Sequence, residues 1–386
     1  MGRRRFKSRI RKTEYYFDYS LLFIALFLLG FGLVMIYSTS SYEANLDYAD
    51  AAYYLKKQAF AAAVGLGAMI LVANIPYYFW ERFAFLGYVV SVVLILLVLT
   101  PLGMEKNGAR RWLNLGVSLQ PAEVAKLGMI LFLASLVCRM GKKIRSRQGV
   151  LIILAVPIPV CLMVYFITDN LSSAIIIFGI AVLMLFIASP DYKWFALFAA
   201  GGASLVALGI FALTKLSSTE GMSFRMERVM AWLDPEAYAS GKGFQTLQAL
   251  YAIGSGGIFG KGLGQSMQKL GFLPEAQNDM IFSIICEELG LFGALAIIFM
   301  FVLMIWRLMV IANNAPDLFG ALLVAGVMGH FAIQVVLNIA VVTNTMPNTG
   351  ITLPFISYGG SSVVFLLIEI GLVLSVSKGI RIQETN

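Results

Sequence analysis

Stretches of about twenty mostly apolar residues, the length that crosses a bilayer as a helix, recur along the chain. They fall at roughly 19–38, 58–76, 85–104, 121–138, 149–168, 171–189, 193–214, 280–305, 318–342 and 360–378. The segments between them are mostly short and no fixed-period repeat stands out, so the pattern predicts an all-α, polytopic membrane protein of about ten transmembrane helices. Two connections are longer, at about 105–120 and about 215–279. A connection longer than about 15 residues is usually functional or carries elements of its own. In the longer one, Phe224, Val229, Met230 and Trp232 interleave with Arg225, Glu227 and Arg228, which predicts a short interfacial helix over 223–233 that ends at Asp234-Pro235. A second helical piece is expected over 244–253. After it, Gly254, Gly256, Gly257, Gly260, Gly262 and Gly264 mark a flexible, close-packing turn region that lacks the spacing and the Lys-Ser/Thr ending of a phosphate loop.

Composition agrees with the spans. Of 386 residues, 59% are hydrophobic and only 13% charged, and the mean hydropathy is +0.83; an ordinary soluble domain is far less apolar. Charge then sets orientation. Arg3, Arg4, Arg5, Lys7, Arg9, Arg11 and Lys12 precede the first span, which the positive-inside rule assigns to the cytoplasm. Counting from there puts the acid-free loop with Arg139, Lys142, Lys143, Arg145 and Arg147 on the same side. Ten spans return Lys378 and Arg381 to it as well. Both termini are expected in the cytoplasm, as tails over 1–17 and 379–386 flanking a membrane domain over 18–378, with both long connections extracytoplasmic. The net charge of +8 resides mainly at helix ends, where anionic lipid headgroups attract it, and no nucleic-acid partner is expected. The first apolar run exceeds the usual 7 to 15 residue core of a cleaved signal, so a retained anchor is expected. Cys138, Cys161 and Cys286 fall in or beside spans and read as packing residues, not disulfide or zinc ligands.

Candidate chemistry gathers where the long loop meets the next helix. Leu273-Pro274-Glu275-Ala276-Gln277-Asn278-Asp279 places two carboxylates at that junction, downstream of Arg225, Arg228, Asp234, Lys242 and Lys261. A carboxylate at a helix start is favoured by free amides and the dipole, so Asp279 is either a cap or a functional acid. Ser283, Cys286 and Glu287 continue a polar stripe from it into the membrane. Intramembrane acids are costly and usually functional or paired. Glu287 or Glu288 can pair with Lys126 across helices, while Glu123 offers Lys126 a local partner three residues away. His330, Gln334 and Asn338 form one polar helix face, with the single histidine either an interhelical donor or a proton carrier. Arg110 and Arg111 beside Trp112 suit phosphate recognition, or simple interfacial anchoring. No His/Cys cluster supports a transition metal; a hard divalent cation, Mg2+ or Mn2+, held by Asp279 or Glu275 and a substrate diphosphate stays open.

Taken in order, the residues Asn107 to Trp112, Gln120-Pro121-Ala122-Glu123-Val124-Ala125-Lys126-Leu127, Arg225 to Pro235, Leu273 to Asp279, Glu287-Glu288-Leu289-Gly290, Asn338 and Leu353 to Ser362 resemble the SEDS family. These bacterial polytopic glycosyltransferases include RodA and FtsW. Asp18-Tyr19-Ser20, Gly30 to Met35 and Ile356 to Ser362 are more similar to the division-type FtsW branch than to RodA. One departure is Asp169-Asn170-Leu171-Ser172, where the family usually has Pro-Asp-Leu-Gly, so no role is carried to Asn170. The resemblance implies polymerisation of lipid II into glycan strands during cell division, on the outer face of the bacterial cytoplasmic membrane and at the septum. Asp279 matches the family's essential acid, as general base or cation ligand. Arg110, Arg111, Trp112, Lys126, Arg225, Arg228, Glu275, Glu287, Asn338 and Ser357 are the implied substrate-binding set. The implied partners are a class B penicillin-binding protein, other division proteins and membrane lipids. A transporter of the lipid-linked precursor and a noncatalytic division scaffold are the competing readings; a transporter needs polar groups along its whole path, whereas this sequence is richest at the mouth.

Overall fold

The computed structural model describes residues 16–106, 109–189, 201 and 224–380. In chain order its helices are α1 (Tyr19–Tyr48), α2 (Tyr53–Asn74), α3 (Tyr78–Glu81), α4 (Ala84–Leu97), α5 (Pro121–Met140), α6 (Arg147–Ala155), α7 (Pro157–Ile167), α8 (Leu171–Ala188), α9 (Phe224–Leu233), α10 (Lys242–Gly256), α11 (Ile281–Asn313), α12 (Leu318–Val342) and α13 (Gly360–Lys378). Among the described residues there are eight helices long and apolar enough to cross a membrane, α6 and α7 together forming one of them. The expected ten are not reached here. The run at 193–214 lies outside the described residues except for 201, and the run at 85–104 yields only the 14-residue α4. Its expected end is a strand instead. Gly103–Lys106 (β1), Ala109–Asn114 (β2) and Ser118–Leu119 (β3) make an antiparallel sheet in the order β1-β2-β3, with Met104 opposite Trp112 and Leu113 opposite Leu119. Pairing satisfies the backbone groups that a bare loop would leave to water.

α13 packs along α2, and α12 runs beside α11, α8 and α5. Leu28, Ile36, Met129, Leu323, Phe331 and Leu367 are fully buried between these helices, whereas Phe23, Phe60, Leu71 and Phe292 point outward. Apart from one break in α11, the spanning helices among the described residues pair their own backbones, which is what hydrocarbon demands. The outward side chains supply the apolar surface.

Long-range polar contacts define two ends of the bundle. At one, Asp18 caps α1 by accepting from Leu21 N and pairs with Arg307 of α11 at 2.5 Å, and Tyr77 donates to Asp317 at 2.5 Å. At the other, Gln277 donates to Glu43, Gln58 accepts from Gly359 N, and Arg111 donates to the Thr168 and Asp169 carbonyls. Asp279 belongs to this second end.

α11 is not continuous. Gly290 sits at φ 67°, ψ −167°, a conformation that side chains rarely adopt. The break frees backbone groups, and the glycine-rich loop after α10 takes them up. Lys261 N and Gly262 N donate to the Glu287 and Glu288 carbonyls at 2.9 Å, while Leu291 N and Phe292 N donate to Gly257 O and Ile258 O. A Cβ on Gly260 or Gly290 would collide with the opposing backbone. The expected close-packing turn therefore splints a helix.

Candidate active site

Asp279 ends a turn segment that ties several elements together. The Asn278 side chain donates to Glu275, which itself takes a left-handed φ of 55°; that conformation is uncommon away from glycine and costs energy the surroundings must supply. Gln245 of α10 donates to Pro274 O and Tyr358 N to Gln277 O. Asn338 of α12 donates to Asp279 O at 2.8 Å and to Ile351 O at 2.6 Å. The Asp279 carbonyl is thus held by α12, and the backbone two residues before it by Tyr358.

Its carboxylate is free for something other than capping. The residue at the N-cap of α11 is Met280, with no side-chain capping bond, so the helix-cap reading of Asp279 does not hold. Asp279 is only 7% exposed, and the strap after α12 runs so close that a side chain on Gly350 would meet Oδ2 at 3.9 Å. Burial, then the Glu275 carboxylate, push its pKa up to about 7, against the pull of its own amide, Arg228 and Arg111. Arg111 of β2 is anchored by Thr168 O at 3.2 Å and Asp169 O at 2.8 Å; Arg228 of α9 reaches Asn348 O at 3.4 Å. Burial lowers both guanidiniums, Arg228 lowers Arg111 further, and Asp279 opposes the shift in each. Two cations therefore converge on one buried acid from separate elements. That arrangement can accept a proton and stabilise an anion in one place.

The other sequence candidates divide. Arg110 is exposed and lies 3.9 Å from Glu105; Trp112 is half-buried on β2. Arg225 falls on α9, but its side chain lies outside the described residues. Ser357 closes its own turn, accepting from Leu353 N at 2.7 Å. Glu287 and Glu288 are fully buried, but neither meets Lys126. Glu287 accepts from Lys261 at 2.7 Å and from Ser266 and Met267 N, and Glu288 from Lys269 at 2.7 Å and Ser38 at 2.8 Å. Lysines of the splinting loop replace the expected partner because the loop folds back onto α11.

Lys126 keeps the local alternative, Glu123 Oε1 at 2.9 Å, and also donates to Gln334 at 3.2 Å. His330 is an interhelical bonding residue, between Gln334 and Glu369 of α13 at 2.8 Å each. Glu369 escaped the sequence reading, although a lone acid inside a span is itself a signal that a partner exists. For a divalent cation, Asp279 and Glu275 supply two neighbouring carboxylates, and among the described residues no group of three or more His, Cys, Asp or Glu forms a metal cage. Mg2+ commonly uses one or two carboxylates and completes its shell with substrate phosphates and water. The donors fit that case only.

Comparison with known proteins gives one consistent result. A family model described as "Cell cycle protein", covering FtsW, RodA and SpoVE, matches residues 19–382. Stage V sporulation protein E of Bacillus subtilis is 40% identical over 94% of this chain and 97% of its own length. A probable peptidoglycan glycosyltransferase FtsW of Trichlorobacter lovleyi is 37% identical over 97% of this chain and 96% of its own. Among solved structures, a chain of a peptidoglycan synthase complex that coordinates polymerization and crosslinking matches with a TM-score of 0.76 and 28% identity, covering 94% of this chain and 97% of the other. Rod shape determining protein RodA of Thermus thermophilus matches with a TM-score of 0.65 and 27% identity, over 94% and 96%.

Proposed function

The chain belongs to the FtsW, RodA and SpoVE family, and from that membership we propose how its residues serve the family's reaction. It is a polytopic peptidoglycan glycosyltransferase that polymerises lipid II into glycan. Asp279 acts as the general base, taking the proton of the acceptor sugar hydroxyl as that oxygen attacks the donor sugar and the lipid diphosphate departs. A carboxyl held at about 7 suits this task, because a base works best with a pKa near the operating pH. Arg111 and Arg228 face the developing charge of the diphosphate, where preorganised guanidiniums are most effective. Asn338 fixes the Asp279 backbone, and Arg110 and Trp112 flank Arg111 on β2. In the alternative role, Asp279 with Glu275 would hold a divalent cation, which supplies charge neutralisation at the leaving diphosphate.

The single observation that carries this reading is the buried Asp279 carboxyl, not spent on capping, with two guanidiniums acting on it. The basic residues before the first span support a cytoplasmic N-terminus, and hence an extracytoplasmic Asp279 end. A class B penicillin-binding protein fits as the crosslinking partner, given the synthase complex among the structural relatives. The division branch and the septum remain the favoured setting on the motifs over 356–362. The test is fluorescent lipid II with purified protein and partner in detergent, where no transport can occur. Glycan is expected from wild type and not from Asp279→Asn; equal polymerisation by the variant defeats the assignment. A chelator arm that leaves the rate unchanged removes the cation.

A further inference from the structure

Five polar side chains from three helices form an unbroken chain of contacts inside the bundle: Glu123 and Lys126 of α5, His330 and Gln334 of α12, and Glu369 of α13. All are at most 5% exposed. Polar groups at such positions need partners, and here the partners fix one another's orientation. Lys126 can only donate, so the Gln334 atom facing it at 3.2 Å is the amide oxygen. Thr352 O can only accept, so the Gln334 nitrogen donates to it at 2.9 Å. His330 Nε2 faces the same Gln334 oxygen and must carry a proton. Its Nδ1, 2.8 Å from Glu369, then shares a single proton with that carboxyl, whichever of the two holds it.

The chain has an outlet. Thr352 lies in the strap that follows α12, next to Ile351, to which Asn338 is bonded together with Asp279 O. His330, Gln334 and Asn338 are spaced four residues apart, one above another on α12. α12 thus links Glu369 to the strap through His330 and Gln334, and the strap to the Asp279 carbonyl through Asn338.

We propose that Gln334 is a positioning residue of the Asp279 site, locked in one amide orientation by Lys126 and by the proton that His330 shares with Glu369. It holds the strap, and with it the Gly350 backbone, against the acid. This inference rests on the glycosyltransferase reading only for its kinetic arm. If the His330–Glu369 contact is lost, the imidazole can turn a lone pair toward the Gln334 oxygen and the strap loses its tether.

The test compares Gln334→Leu, Gln334→Glu, Glu369→Leu and Glu369→Gln in full-length protein with its partner. Gln334→Leu and Glu369→Leu are expected to lower kcat roughly tenfold to a hundredfold, the range of a small misplacement at a reacting centre, with KM for lipid II unchanged. Glu369→Gln should stay near wild type, because its amide donates to Nδ1 and keeps the proton on Nε2. Hydrogen–deuterium exchange over residues 343–353 should quicken in both leucine variants. It should quicken also in Gln334→Glu, whose carboxylate keeps the volume and cannot donate to Thr352. The proposal is overturned if Gln334→Leu retains kcat and strap protection, if Glu369→Gln falls as far as Glu369→Leu, or if the loss is confined to KM. Exchange reads the tether without activity, so a failed polymerisation assay and a failed ladder remain distinguishable.

Discussion

Asp279 and the Glu287–Glu288 pair lie within ten residues of sequence and are treated oppositely by the fold. Glu287 and Glu288 are fully buried, yet each is met by a lysine, a serine hydroxyl and at least one backbone amide. Asp279 is nearly as buried, but among the described residues no other side chain donates a hydrogen bond to its carboxylate. Its cations act from farther away, and its pKa climbs to about 7. A carboxylate whose hydrogen-bonding capacity is filled locally has a structural use. One left desolvated among distant cations is available to react.

Four substitutions break or sharpen that contrast. Asp279→Asn should cost about 10³-fold or more in polymerisation, within the usual range for a lost acid–base group, while raising stability. The sign follows from linkage: a folded-state pKa above the unfolded one means that stability is greatest at low pH and is lost as pH rises through about 7. A rise from 3.8 to about 7, at roughly 1.4 kcal/mol for each pH unit, bounds the gain at about 4 kcal/mol. Thermal melts beside the assay check both halves, and a destabilised variant would cancel the contrast. Lys269→Met should do the reverse. It strands Glu288, a loss on the order of 3–5 kcal/mol for a buried pair, and leaves kcat per folded molecule close to wild type.

Arg228→Gln should lower kcat by roughly 10²-fold, as for other lost donors at a developing anion. It should also raise the midpoint of the acid limb of the pH–rate profile above about 7, since Arg228 pulls the Asp279 pKa down. Glu275→Gln is the mildest. Removing the second-ranked cause of the upward shift moves that midpoint down, with a rate change of about tenfold or less. Identical midpoints in the two variants would mean that Asp279 is not the titrating base.

Most of the bundle was legible as twenty-residue apolar runs, because a bilayer leaves the backbone no alternative to a helix. The sheet was not. Asn107-Gly108 between Met104 and Trp112 is a hairpin signature, but it stands beside a run that already reads as a span, and Pro101 shortens that run. At the site, Asp279, Arg111 and Arg228 were found by residue type and order, and the polar face of α12 by its spacing. What stayed hidden were partners fixed only by tertiary folding. Nothing in the spacing of Lys261 and Lys269 tells that their loop returns to α11, and Glu369 lies in the middle of an apolar stretch.

The split in α11 also sets an order of assembly. Residues 257–262 leave the ribosome before residues 287–292, yet each supplies backbone groups that the other needs. The loop must wait, unpaired, until the second half of the helix has been threaded into the bilayer, and only then can the two close. Truncation anywhere between 262 and 287 would leave these loop groups without their partners on α11.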